Sequence, residues 1–172
     1  MSNYRRVKIP GGTYFFTAVT RERRPVFTSD RNIEALRRAF RTVRERRPFA
    51  VEAVVVLPDH LHCIWRLPEN DADYSGRWRE IKKLTSRAIT PHSDERGERA
   101  LWQRRFWEHT IRDDRDWRLH MDYVHYNPVK HGLVRRPRDW RWSSFARCAE
   151  RGWYEADWGK SEPSHIAGVE WE

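Results

Sequence analysis

Two extended apolar runs, separated by one short turn, constrain this chain's fold more than any other feature. Phe49 to Val56 and His60 to Leu67 flank Leu57-Pro58-Asp59, which reads as a turn or bulge between two strands. The first run is nearly continuous in apolar residues, and that predicts a central strand covered on both faces. A third strand is expected at Thr13 to Thr20, a β-branched and aromatic segment after Gly11-Gly12, and a fourth at Phe106 to Ile111. Helical spacing fills the intervals. Asp30 is a candidate N-cap for a helix to about Arg46, with Ile33, Leu36, Phe40 and Val43 on one face and Arg37, Arg38, Arg41 and Arg44 on the other. Ser75 is expected to cap a helix over Gly76 to Ile89, striped by Trp78, Ile81, Leu84 and Ala88. Asp113 or Asp114 opens a third helix ending near Asn127-Pro128, and the polar stretch 91 to 99 reads as a loop. The order β-α-β-β-α-β-α predicts an α+β fold, a ferredoxin-like sandwich with an antiparallel sheet.

Beyond Pro128 the chain becomes rich in Pro, Arg and Trp. The expected organisation is one domain over residues 1–134 and an irregular C-terminal arm, 135–172, packed on it and available to DNA. With 34 Lys+Arg against 25 Asp+Glu, the net charge of +9 points to a polyanionic partner, nucleic acid before an acidic membrane surface. Aromatic faces among the 10 Trp suit unpaired bases, although core packing is the better account of most of them. Two cysteines, Cys63 and Cys148, supply neither a disulfide framework nor a CxxC zinc pattern, which fits a reducing, cytoplasmic setting. No signal-peptide stretch and no membrane-spanning run is present in the sequence.

The sharpest local feature is His60-Leu61-His62. On a strand, residues i and i+2 share a face, so both imidazoles can converge on one divalent ion while Leu61 enters the core. The same spacing also describes a pair of surface or core-edge histidines. Tyr123 and Asn127, at i and i+4 on a helix, share a face and can offer a phenol and an amide oxygen together. The alternative is a packed Tyr and an Asn C-cap before Pro128. Joined, the four residues suit attack on a phosphodiester. A phenol of ordinary pKa near 10 is a weak nucleophile at neutral pH, and a metal ion with open positions can polarise and orient the phosphate.

At these residues the chain resembles the REP-associated tyrosine transposases, a branch of the HUH single-strand DNA transposases. The resemblance rests on LPDHLHCIW (57–65), REIKKLTSR (79–87), FWEHTIRDDRDW (106–117), DYVHYNPVKHGLV (122–134), WRWSSF (140–145) and GWYEADWG (152–159). It implies the HUH palm, with His60 and His62 holding Mg²⁺ or Mn²⁺. It also implies Tyr123 as the nucleophile that forms a 5′-phosphotyrosine and releases a 3′-OH. Asn127 stands where insertion-sequence relatives carry a Gln that completes the metal site, and it offers the same ligand atom on a shorter arm. The implied substrates are hairpin-forming repetitive extragenic palindromes. Candidate phosphate contacts are Arg21, Arg23, Arg24, Lys82, Lys83, Arg104, Arg105, Lys130, Arg135 and Arg136.

Other residues carry lesser expectations. Tyr126 is a rival nucleophile better suited to packing, and His125 and His131 can touch phosphate, shuttle a proton or merely cap. His109 and Asp59 are candidates for supporting the metal ligands, Glu80 and Glu108 for acid–base work, and Cys63 for the core. The leading expectation is a metal-dependent single-strand DNA endonuclease and strand transferase, monomeric or homodimeric. Its rivals are a catalytically vestigial hairpin-binding protein with a regulatory or genome-organising role, and a rolling-circle initiator or relaxase.

Overall fold

Four strands, β1 (Thr13–Val19), β2 (Ala50–Val56), β3 (His60–Arg66) and β4 (Trp107–Thr110), form one antiparallel sheet in the order β2-β3-β1-β4. The computed structural model describes residues 7–90 and 101–171, so the loop expected over 91 to 99 lies outside the described residues. Helices α1 (Asp30–Arg46) and α2 (Tyr74–Ile89) cover one face of the sheet, and α3 (Asp114–Lys130) covers the other. The fold is α+β, as its pattern of elements predicts.

Alternation along the central strands sorts the core. Tyr14, Phe16, Ala18, Leu61, Cys63 and Trp65 point toward α1 and α2, where Trp65 stacks on Trp78 at 4.6 Å. Phe15, Val55 and Ile64 point the other way and meet Met121, Tyr123 and Val124 of α3. β3 is therefore buried on both faces from His60 to Trp65. β2, expected at the centre, is an edge strand. Its continuous apolar run reflects a covered edge: Val56 N–H donates to Trp142 O and Ser144 N–H to Val54 O, both at 2.8 Å. The C-terminal arm thus occupies the place of a fifth strand, which a single sequence does not reveal.

Helix starts differ from expectation by a residue or two. Ser29 caps α1 by accepting from Asn32 N–H at 3.3 Å, leaving Asp30 in the first turn, where its charge suits the helix N-terminus. Asp73 caps α2 from Gly76 N–H at 2.8 Å, and its carboxylate also takes Arg47. Ala88, expected on the buried stripe of α2, is exposed. Asp113 caps α3 from Asp116 N–H at 2.8 Å. That helix continues through Pro128 to Lys130, because the proline falls in its last turn and the terminal carbonyls still find donors. His131 N–H reaches Asn127 O at 3.0 Å, and Gly132, with φ +68°, turns its N–H to Val129 O.

The arm contains a short helix, α4 (Phe145–Glu150), and buries Phe145, Cys148, Tyr154 and Ile166 against α3. No helix among the described residues is long and apolar enough to cross a membrane.

Candidate active site

His60 and His62 project from β3 onto the face covered by α3, with ring centroids 4.9 Å apart and exposures of 1% and 0%. Their protons are fixed by neighbours. His60 Nδ1 lies 2.6 Å from Asp59 Oδ1, and an ionised carboxylate only accepts, so the proton sits on Nδ1. Burial works to raise the Asp59 pKa, but the hydrogen bond from His60 and the charge of Arg23, at 3.2 Å, hold it below the ordinary carboxylate value. The turn that delivers Arg23 is left-handed at Glu22 and Arg23, φ 56° and 50°. His62 Nδ1 lies 2.9 Å from the Thr17 hydroxyl, whose single proton goes to Trp171 O at 2.6 Å. Thr17 must therefore accept from His62 Nδ1–H. Both rings are left with their lone pairs on Nε2, the arrangement a metal-binding imidazole requires.

The electrostatics agree. Burial first, then the neighbouring His60, His131, Lys130 and Arg23, push the His62 pKa well below its ordinary value, which keeps the ring neutral. Its Nε2 is buried without a hydrogen-bond partner.

Helix α3 brings Tyr123 to the same place. Its ring centroid is 5.2 Å from that of His62, at 73°. One turn further along the same helix face, Asn127 is wholly buried, and neither its amide oxygen nor its amide nitrogen has a hydrogen-bond partner. Leaving such a group unsatisfied costs about 1–3 kcal/mol, a cost that a bound divalent cation would offset both for the Asn127 amide on α3 and for the His62 imidazole on β3. Lys130 Nζ lies 5.1 Å from the centre of the Tyr123 ring and donates to Val169 O at 2.7 Å. His131 lies across the rim, 5.1 Å from the His60 ring.

The remaining sequence candidates separate cleanly. Arg21, Arg23 and Arg24 are exposed just past β1, close to Asp59 and the site. Lys83, Arg104, Arg105 and Arg135 are exposed elsewhere on the surface; Lys82 donates to Gln103 O at 2.9 Å, and Arg136 pairs with Asp139 at 2.9 Å. Tyr126 packs toward Trp158. His125 faces the arm, bonded to Ser144 Oγ at 2.7 Å and Tyr154 Oη at 3.1 Å. Glu108 lies in register with Phe16, on the opposite face of the sheet, and Glu80 pairs with Arg47 at 3.6 Å. His109 does not support the HxH pair. It bonds Asp116 Oδ2 at 2.8 Å, and with Asp116 and His120 it forms a separate cluster of metal-compatible spacing.

Three participants carry no signal in the sequence alone. Thr17 becomes visible only once β1 is in register with His62. His120 stacks beside the site from α3. Trp171 comes from the far end of the chain and donates its backbone N–H to Tyr123 Oη at 3.1 Å. Only strand register and the path of the arm identify them.

Comparisons with known proteins agree on one family. The profile of the family described as "Transposase IS200 like" matches residues 9–127. The REP-associated tyrosine transposase of Escherichia coli (strain K12) is 48% identical over 168 residues, covering 98% of this chain and 97% of that protein. A putative REP-associated tyrosine transposase of Haemophilus influenzae is 42% identical over 175 residues, covering 98% and 99%. Among solved structures, a REP-associated tyrosine transposase bound to a REP hairpin superposes with a TM-score of 0.82 at 47% identity, over 96% of each chain.

Proposed function

Because the chain belongs to the IS200-like transposases, and among them to the REP-associated tyrosine transposases, we propose that it cuts and rejoins single-stranded DNA beside hairpin-forming palindromes. The observation that carries the proposal is the approach of the Tyr123 ring to His62, 5.2 Å between centroids, beneath two imidazoles whose Nε2 lone pairs are set by Asp59 and Thr17.

Tyr123 Oη attacks the phosphorus, the Oη–P bond forms, and the P–O3′ bond breaks. The products are a 5′-phosphotyrosine on the protein and a free 3′-OH, with the phenolic proton passing to solvent and the leaving oxygen taking one. Rejoining is the reverse attack by a 3′-OH. His60, His62 and Asn127 would hold a divalent cation, Mg²⁺ or Mn²⁺, which supplies Lewis-acid stabilisation of the charge on the phosphate oxygens. Lys130, against the Tyr123 ring, would meet the scissile phosphate, and the exposed Arg21, Arg23 and Arg24 would meet the strand beside it. Lys82, Lys83, Arg104, Arg105, Arg135 and Arg136 are further contacts for the hairpin backbone. Residues 1–134 would form the catalytic unit, with 135–172 an arm that shields its edge.

The test is a labelled single-stranded hairpin oligonucleotide incubated with the protein and Mn²⁺, then run on a denaturing gel. A covalent adduct is expected for the wild type and for Tyr126→Phe, and none for Tyr123→Phe or with EDTA. An adduct that survives Tyr123→Phe removes the assigned nucleophile. Tight hairpin binding with no adduct under any condition supports a purely DNA-binding role instead.

A further inference from the structure

Beside the nucleophile, four flat rings lie nearly parallel. The Trp171 indole stacks on His120 at 4.1 Å and 8°, and His120 stacks on His109 at 4.5 Å and 15°. Trp107, 42% exposed, lies alongside at 13° to Trp171, with centroids 6.4 Å apart. Tyr123, at 4.7 Å and 56°, and Phe15, at 5.6 Å and 62°, stand as tilted walls. Trp171 thus fills a slot with a flat floor and an aromatic rim, as a stacked nucleobase would, and its indole is bicyclic like a purine.

Trp171 and a substrate compete for this place. Its backbone nitrogen is 3.1 Å from Tyr123 Oη, the separation at which a phosphorus must stand for attack, about 3–3.5 Å. A scissile phosphate that reaches Tyr123 Oη from the side held by the Trp171 amide would displace that backbone, carry the indole away with it and uncover one face of His120. A base attached to a nucleotide next to that phosphate lies within one sugar's reach of the vacated slot.

We propose that the face of His120, backed by His109, is a purine-base subsite for a nucleotide flanking the scissile phosphate, taken by Trp171 when DNA is absent. The proposal rests on the strand-cleavage reading and adds to it a stacking contact that positions the strand. It is independent of sequence readout along the hairpin stem.

The experiment places 2-aminopurine singly along the unpaired strand flanking a hairpin oligonucleotide and follows its fluorescence on binding to the full chain in EDTA. One position should be quenched several-fold, and that quench should vanish in His120→Leu and persist in His120→Phe. An abasic site at the same position should weaken wild-type binding about tenfold, as expected for one base stacked on a side chain, and cost nothing further in His120→Leu. If His120→Leu does not fold, His120→Gln serves: without a ring face it should lose the quench and the penalty of the abasic site. A quench equally strong in His120→Leu or in His120→Gln overturns the subsite. An adduct on Tyr123 with no His120-dependent quench leaves cleavage standing and removes the subsite. A His120-dependent quench without any adduct keeps the subsite and removes cleavage.

Discussion

The backbone amide of Trp171 donates to the Tyr123 hydroxyl at 3.1 Å, which ties the assigned nucleophile to the far end of the chain. The same segment is held by Lys130 to Val169 O and by Thr17 to Trp171 O. Truncation after Gly168 removes these contacts. Adduct formation on a hairpin oligonucleotide should then accelerate by roughly tenfold, the equivalent of one to two net hydrogen bonds. A slower rate would mean that the segment supports the site instead of covering it.

Thr17→Val keeps the shape of the side chain and removes the acceptor for His62 Nδ1–H. The ring is then free to rotate or change tautomer. Affinity for Mn²⁺, measured by titration calorimetry, should fall about 10–100-fold with little change in fold, because partners of ligating imidazoles usually contribute that much.

Stability should decline in mild acid. Burial, helped by the charge of Arg147, pushes the His125 pKa down to about 3, and burial lowers that of His120 to about 4. In the unfolded chain both titrate near the ordinary value of about 6.5. The unfolded state therefore binds protons first, and the stability present above that value is lost as pH falls toward the folded values. At pH 5 each ring should cost roughly 2 kcal/mol. Urea midpoints from pH 8 to pH 5 should fall below the imidazole range, and His125→Gln should flatten the slope. A midpoint that rises on acidification would contradict the assignment.

Ser144 joins three parts of the molecule. Its Oγ accepts from Val54 N–H at 2.9 Å, lies 3.2 Å from Val54 O and meets His125 Nε2 at 2.7 Å. Ser144→Ala strands the buried His125 ring on α3 and the partly buried Val54 amide on β2, and should cost about 2 kcal/mol in chemical denaturation. A loss within experimental error would show that the Ser144 hydroxyl adds nothing to the backbone bonds by which the arm covers the β2 edge.

Period-two and helical spacing made the strands and helices legible, and His60-Leu61-His62 announced its own geometry because strand alternation is local. Tyr123 and Asn127 were readable for the same reason, one turn apart on a single helix. The position of β2 was not, since an apolar run looks alike whether a neighbouring strand or an arm from residues 142–144 covers its edge. Thr17 and Trp171 depend on contacts 45 and 154 residues away in sequence, and no local pattern encodes them.

The central claim is that His60 and His62 present paired Nε2 lone pairs to one ion beside Tyr123. Crystals soaked in Mn²⁺ and measured at the manganese absorption edge test it directly. The account predicts one anomalous peak about 2.0–2.2 Å from both Nε2 atoms. A peak held instead by His109, Asp116 and His120, with nothing between His60 and His62, would contradict it.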